Sequence, residues 1–162
     1  MKNLIVALLL ISITETFSQS PAIQQIINSV NQDSLIYFVR ELSGNVPTTI
    51  NDTLQTILSR NKNQPGNSLA ETYIKQKLQS YNLMTAIQSF STTCKNVIAV
   101  QTGNQFPNKK FIICAHFDDM PSGTTAPGAD DNASGTAAVI EAARIFSNYS
   151  FPYTLVYALW DE

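Results

Sequence analysis

The chain has 162 residues, of which 44% are apolar and 14% are charged. This balance is typical of a folded domain with a hydrophobic core, and it argues against a disordered chain. The formal charge is -2 and there is no basic cluster. The sequence therefore has no electrostatic footprint for nucleic acid or for an anionic membrane, and we expect neither as a partner.

The N-terminus has the pattern of a secretory signal peptide. Lys2 precedes an apolar stretch over residues 4–13, and the small residues Thr16 and Ser18 suit a cleavage site. The apolar stretch is shorter than the roughly 20 residues that a membrane-spanning helix needs. We therefore predict a signal peptide at residues 1–18, no membrane span after its cleavage, and a secreted or periplasmic protein.

Export bears on the two cysteines, because disulfides persist in oxidising compartments. Cys94 and Cys114 lie on two neighbouring predicted strands, and antiparallel pairing of those strands would bring the thiols close together. A disulfide and a pair of buried free thiols both remain open. Neither cysteine has the spacing of a C-x-x-C metal site.

The first half of the chain is predicted to be mainly helical. Apolar spacing predicts one helix that starts at Pro21 and a second that is capped by Asp33 and stopped by Gly44. A capping-box pattern at residues 68–71 predicts a third helix with one face against a sheet.

The periodicity changes at residue 83, where extended segments begin. The pattern predicts strands at 84–90, 96–101 and 111–115, the last two central because they are continuously apolar. A helix over 135–146 and a strand over 154–160 follow. This order of elements predicts a mixed α/β sheet.

Polar residues follow two of the predicted strands directly. His116, the only histidine, and Asp118 follow one strand, and Asp161 and Glu162 follow another. In open α/β sheets, ligands bind beyond the carboxyl ends of the strands. Imidazole and carboxylate groups are ligands that zinc accepts, and an acid beside a histidine can orient the ring. We therefore expect half of a metal site here.

A second acidic turn runs from Gly128 to Gly135 with the sequence Gly-Ala-Asp-Asp-Asn-Ala-Ser-Gly. Acidic residues before a helix are ordinarily caps, so this placement also has a purely structural interpretation. The spacing from Asp130 to Glu141 fits the outline of an EF-hand calcium loop as well. The Pro/Gly-containing stretch 121–128 cannot form the entering helix of an EF-hand, which disfavours calcium.

The joint order of these motifs resembles the M28 family of zinc peptidases. The order is an apolar strand ending in Ala-His-x-Asp, a Pro/Gly loop, the acidic turn, an alanine-rich helix, and an apolar strand ending in acids. The resemblance covers residues 55–162 and includes Arg60 with the Pro65-Gly-Asn segment. It implies a three-layer α/β/α sandwich of the phosphorylase/hydrolase type with a mixed, mostly parallel sheet, truncated at its C-terminal side. The implied organisation is a signal peptide (1–18), an N-terminal helical segment (19–54) and the N-terminal portion of a peptidase domain (55–162).

The resemblance also implies roles for individual residues. His116 would bind zinc, Asp130 would bridge two zinc ions, and Asp118 would orient His116. Asp131 would follow a cis peptide bond and shape the site. Glu162 would be the general base or lie one residue before it. The remaining ligands would lie beyond residue 162, so we expect this stretch alone to bind zinc poorly and to be inactive.

The implied activity is that of a secreted zinc metallo-exopeptidase, aminopeptidase-like, that hydrolyses peptide bonds near the N-termini of peptides. Two alternatives remain open: a glutaminyl-peptide cyclase-like enzyme with a single zinc, and a non-catalytic binding module with a peptidase fold. The intact His-x-Asp and Asp-Asp-Asn motifs disfavour the module. The substrate side chain, amino- versus carboxypeptidase action and the oligomeric state have no signal in the sequence.

Overall fold

The computed structural model describes residues 20–161, so the predicted signal peptide and Glu162 lie outside the described residues. The four α-helices in this range are α1 (Pro21–Asn28), α2 (Gln32–Leu42), α3 (Pro65–Ser80) and α4 (Ser134–Phe146). The six strands in this range are β1 (Thr48–Ile50), β2 (Thr53–Gln55), β3 (Met84–Ser89), β4 (Lys95–Gln101), β5 (Phe106–His116) and β6 (Tyr153–Trp160). None of the described helices has the length and apolar character needed to cross a membrane.

The helix starts differ from the predictions in two places. Helix α2 is capped by Asn31, whose side-chain oxygen accepts a hydrogen bond from the Ser34 amide at 2.8 Å. Asp33 therefore lies inside the first turn, where its charge suits the positive end of the helix dipole. Helix α3 begins at Pro65, ahead of the predicted capping box at residues 68–71, because proline is favoured at the first helical position.

A short hairpin, β1 with β2, lies between α2 and α3 and has no counterpart among the predicted elements. Its turn residues Asn51 and Asp52 have φ values of 49° and 59°. Asn and Asp tolerate this left-handed conformation, which two-residue hairpin turns require. The Asn-Asp pair was therefore the signal in the sequence for this hairpin.

The main sheet has the strand order β3-β4-β6-β5. It is mixed, as predicted, but β3 with β4 and β4 with β6 are antiparallel, and only β5 with β6 is parallel. The expectation of a mostly parallel sheet therefore does not describe this part of the chain. The short β3–β4 connection forces antiparallel pairing, and the crossover through α4 makes β6 parallel to β5.

The position of β6 also corrects two expectations about β5. Strand β6 lies between β4 and β5, so β5 forms an edge of the described sheet. Cys94 and Cys114 are consequently on strands that do not pair, and both are free thiols, Cys94 buried and Cys114 exposed.

The described helices cover one face of the main sheet. Helix α3 contacts β3 and β4, α4 contacts β5 and β6, and α2 and α3 both contact α4. The core between these helices and the sheet includes Leu42, Ile74, Val97, Ile140 and Leu159. On the opposite face, Ile112 is 59% exposed and Cys114 is exposed. The described residues thus supply two of the three expected layers, and they place the exits of β5 and β6 side by side.

Candidate metal centre

His116 stands at the end of β5 with one ring nitrogen against Asp118. Its Nδ1 lies 3.2 Å from the Asp118 backbone carbonyl and 3.4 Å from the Asp118 carboxylate. Asp118 is buried, with 6% of its surface exposed. The segment is held in place because the amide of Phe117 donates to the Trp160 carbonyl at 2.8 Å and the Thr136 hydroxyl donates to the His116 carbonyl at 3.0 Å. The structure thus puts Asp118 in the contact with His116 that the resemblance implied.

The other ring nitrogen of His116 faces Asp131. The distance from His116 Nε2 to Asp131 Oδ1 is 3.2 Å. We expected Asp130 in this position, but the structure places Asp130 outside the residues that line the cleft beside His116, and Asp130 is exposed. The two residues are adjacent in an irregular turn, Ala129–Ala133, in which Asp131 and Asn132 have non-helical dihedral angles. Because of these dihedral angles, the Asp131 side chain faces His116 and the Asp130 side chain does not.

The cis peptide bond of this turn lies between Asp131 and Asn132. We expected Asp131 to follow the cis bond, whereas it precedes it. The turn is closed by local hydrogen bonds: the Ala133 amide donates to the Gly128 carbonyl at 3.0 Å, and the Gly135 amide donates to the Asn132 side chain at 2.9 Å. These hydrogen bonds fix the backbone conformation of the turn that bears Asp131, immediately before α4.

The paired contacts of His116 fit a bound cation. If Nδ1 carries the ring proton and donates it to Asp118, Nε2 has a lone pair directed at the carboxylate of Asp131. Two such acceptors at 3.2 Å need a proton or a cation between them. Two atoms each about 2.0 to 2.1 Å from a tetrahedral zinc ion lie about 3.3 Å apart. His116 and Asp131 thus have the chemistry and the spacing of two zinc ligands.

The cleft at this point has a volume of about 600 Å³ and is lined by His116, Asp118, Asp119, Met120, Pro121, Asp131 and Asp161. Its wall is therefore strongly acidic, which favours cations over anions. Within residues 20–161, however, no group of three or more His, Cys, Asp or Glu side chains is arranged to hold a metal ion. His116 and Asp131 are thus two candidate ligands, fewer than the three or four protein ligands that a zinc site uses.

Asp161 lies at the exit of β6, where hydrogen bonds connect it to α3 and β4. Its carboxylate accepts hydrogen bonds from the Asn67 side chain and from the Lys95 amide, both at 3.0 Å. Its own amide donates to the Asn96 side chain at 2.9 Å. These bonds fix the end of β6 beside the cleft. Glu162, the proposed base, follows directly and lies outside the described residues.

Arg60 is a residue of the site that spacing and periodicity did not single out. It is fully buried, and burial lowers the pKa of its guanidinium to about 10. The negative charges of Asp119, Asp118 and Asp131 oppose that shift. The guanidinium is therefore positively charged at neutral pH and lies in the field of the acidic cleft.

Residues 96–162 match the family model described as peptidase family M28. This segment belongs to family M28. The M28 segment contains His116, Asp118 and the acidic turn, so the family resemblance of the motifs is confirmed. A probable zinc metalloprotease of Pyrenophora teres f. teres (strain 0-1) is 28% identical to the chain over 151 residues.

Solved structures share the fold of the chain that carries the M28 segment. The glutaminyl cyclase of Macrostomum lignano matches with a TM-score of 0.67 and 18% identity, covering 88% of this chain and 41% of that chain. The LapA aminopeptidase of Legionella pneumophila matches with a TM-score of 0.68 and 14% identity, covering 85% of this chain and 36% of that chain. At these identities the likeness shows the α/β fold alone.

The chain spans only part of its relatives. The match to the Pyrenophora protein covers 76% of this chain and 31% of the relative. The chain thus spans about a third of the length of that curated metalloprotease.

Proposed function

We propose that the full-length protein containing this chain is a zinc metallo-exopeptidase that hydrolyses peptide bonds near the N-termini of peptides. The observation that carries the proposal is the setting of His116, with Nδ1 against Asp118 and Nε2 at 3.2 Å from Asp131. The membership of residues 96–162 in family M28 supports it.

In this proposal each residue has one task. His116 would hold zinc through Nε2, and Asp131 would hold it through its carboxylate. Asp118 holds the proton of His116 on Nδ1, which keeps Nε2 free as a ligand. Zinc held by these residues would supply Lewis acidity toward the scissile carbonyl and the attacking water. Glu162 or a residue close to it would act as the general base that accepts the proton of the attacking water.

The ligand set also limits what this stretch can do alone. Two ligands hold a zinc ion weakly, because zinc sites in proteins use three or four protein ligands. We therefore propose that residues 1–162 are inactive by themselves and that the active unit includes further sequence. We also propose that residues 1–18 direct the protein to a secreted or periplasmic location, which N-terminal sequencing of protein recovered outside the cytoplasm would test.

A second candidate is a glutaminyl-peptide cyclase activity with a single zinc ion. It is favoured by the likeness of the fold to the Macrostomum lignano glutaminyl cyclase. The two candidates share the site built from His116 and Asp131, and they differ in the number of zinc ions and in the reaction. One consumes water to release an amino acid, and the other releases ammonia from an N-terminal glutamine.

The test uses the full-length protein with zinc added. Hydrolysis of a panel of aminoacyl-p-nitroanilides is measured beside ammonia release from a peptide with N-terminal glutamine. We expect hydrolysis in the wild type, loss of it in Asp131→Asn, and retention in the neighbouring control Asp130→Asn. Ammonia release without hydrolysis would contradict the exopeptidase and support the cyclase. A zinc-loaded protein with neither activity would contradict both candidate functions.

A further inference from the structure

We propose that Arg60, assisted by Asn67, is the positioning residue of the metal centre: it holds the loop after β5 and the loop before α4 so that His116 and Asp131 reach the same ion. This inference rests on the proposed function, because it assigns a role toward the metal that the function requires. Arg60 and Asn67 lie outside the set of residues that line the cleft.

The guanidinium of Arg60 binds backbone carbonyls from three separate parts of the chain. Its Nε donates to the Phe117 carbonyl at 2.6 Å, next to His116. Its Nη1 donates to the Pro127 carbonyl at 2.5 Å and to the Leu42 carbonyl at 2.7 Å. Its Nη2 donates to the Gly128 carbonyl at 2.7 Å. One side chain thus ties the strand exit that bears His116 to the turn that bears Asp131 and to the end of α2.

The choice of arginine follows from geometry. A guanidinium presents five N–H donors in a rigid planar fork, whereas a lysine ammonium presents three donors at one point. Four carbonyls that converge from three segments need a fork of this kind. All four of these acceptors are neutral backbone carbonyls, so none of the four hydrogen bonds pairs the positive charge of Arg60 with a carboxylate. The charge remains available to the carboxylates of Asp118, Asp119 and Asp131 around it.

The backbone of Arg60 extends the same connection to β6. Its amide donates to the Ala126 carbonyl at 3.0 Å, and its carbonyl accepts from the Asp119 amide at 3.3 Å. The Asn67 side chain donates to that carbonyl at 3.1 Å and also to Asp161 at 3.0 Å. Asn67 is buried, with 2% of its surface exposed. The exits of β5 and β6 and the turn before α4 are therefore all tied to one residue and its neighbour in space.

Gly128 shows how closely the turn is fitted to Arg60. Its φ of +42° is in the left-handed region. A Cβ at this position would lie 2.6 Å from Arg60 Nη2 and would also collide with the carbonyl of Asp131 and the carboxylate of Asp119. Only a residue without a side chain allows the turn to approach the guanidinium this closely. The approach puts the Asp131 turn directly over the Arg60 fork.

A positioning role is distinguishable from simple stabilisation of the core. A structural role predicts a less stable protein with normal metal affinity, while a positioning role predicts weaker metal binding in a protein that is still folded. Removing groups that orient metal ligands typically weakens metal affinity by about 10- to 100-fold. Zinc affinity and the geometry of the bound metal are therefore the deciding readouts, and neither depends on activity.

The experiment uses the full-length protein and its Arg60→Lys, Asn67→Ala and Arg144→Lys variants. Arg144→Lys is the matched control, because Arg144, like Arg60, donates to a backbone carbonyl. It also pairs with the buried Glu141 carboxylate, and it lies at the far end of α4. Zinc dissociation constants are measured by competition with a chelator, and the visible absorption of the cobalt-substituted proteins reports the coordination geometry. Urea unfolding and circular dichroism establish that each variant is folded.

We expect zinc affinity to fall by about tenfold or more in Arg60→Lys, with an altered cobalt spectrum, and by a smaller factor in Asn67→Ala. Arg144→Lys should bind zinc as the wild type does. A folded Arg60→Lys variant with wild-type zinc affinity and cobalt spectrum would overturn the inference. If that variant does not fold, unchanged zinc affinity in Asn67→Ala overturns it.

The failure of this inference is distinct from the failure of the proposed function. A wild type that binds zinc and hydrolyses peptides, with variants that bind zinc equally well, would overturn the positioning role alone. A wild type that binds zinc but lacks activity would contradict the proposed function. The zinc affinities of the variants would then still decide the role of Arg60. A wild type that binds no zinc would contradict both.

Discussion

Replacement of Gly128 by alanine tests the packing of the turn before α4. The residue has a φ of +42°, and an added Cβ would meet the carbonyl of Asp131, the carboxylate of Asp119 and the guanidinium of Arg60. The Arg60 guanidinium is held by four hydrogen bonds to backbone carbonyls. The turn cannot make room for the methyl group without moving Asp131 or Arg60.

Two contributions determine the expected cost. A left-handed conformation costs a non-glycine residue about 1 to 2 kcal/mol. Forcing a methyl group into a packed site costs about 1 to 3 kcal/mol more. We therefore expect Gly128→Ala to lower the free energy of unfolding by about 2 to 5 kcal/mol.

Gly123 provides the control within the same loop. A Cβ added there would have no neighbour within 4 Å. Gly123→Ala is therefore expected to change the free energy of unfolding by no more than about 0.5 kcal/mol. Both variants are unfolded with urea in the full-length, chelator-treated protein. Equal stability of the two variants would refute the reasoning about this turn.

Two further predictions concern buried charges away from the cleft. Tyr73→Phe removes the 2.6 Å hydrogen bond from the tyrosine hydroxyl to buried Glu41, and urea unfolding should show a loss of about 1 to 3 kcal/mol; no loss would contradict a stabilising role for this bond. Burial alone would raise the pKa of Glu141, but hydrogen bonds from Arg144 and from the Asn31 amide outweigh it, so the pKa of Glu141 is lowered. The stabilisation from ionised Glu141 is therefore present above the ordinary glutamate pKa of about 4.3 and is lost as the pH falls through the lower folded value. The difference in unfolding free energy between the wild type and Glu141→Gln should accordingly be largest near neutral pH and shrink below about pH 4; a difference independent of pH would contradict it.

The elements with long, strongly periodic patterns were predictable from the sequence. The helix over 135–146 and the strand over 154–160 correspond to α4 (Ser134–Phe146) and β6 (Tyr153–Trp160). Their apolar spacing depends on local geometry alone. The mixed sheet and the metal-ligand chemistry at the strand exits followed from the same order of elements, together with the likeness of the motifs to family M28.

The neighbours in the sheet were not predictable in the same way. Strands β4 and β5 follow one another in the chain, and nothing in their own residues indicates that β6 inserts between them. That order depends on the crossover through α4, which is a non-local contact. The expected proximity of Cys94 and Cys114 failed for this reason.

The choice between Asp130 and Asp131 shows the limit for the site. Both are acidic, both precede α4, and a sequence motif does not state which side chain faces His116. The answer depends on the irregular dihedral angles of Asp131 and Asn132. The resemblance to family M28 included Arg60 but gave it no role. Its contacts were not predictable, since its partners are backbone carbonyls, which leave no mark in the sequence.

The most direct measurement is the zinc content per chain of the full-length protein after dialysis, by elemental analysis, in the wild type, Asp131→Asn and Asp130→Asn. The 3.2 Å approach of Asp131 to His116 predicts that zinc is lost in Asp131→Asn and retained in Asp130→Asn. Zinc retained in Asp131→Asn and lost in Asp130→Asn would contradict the site described above.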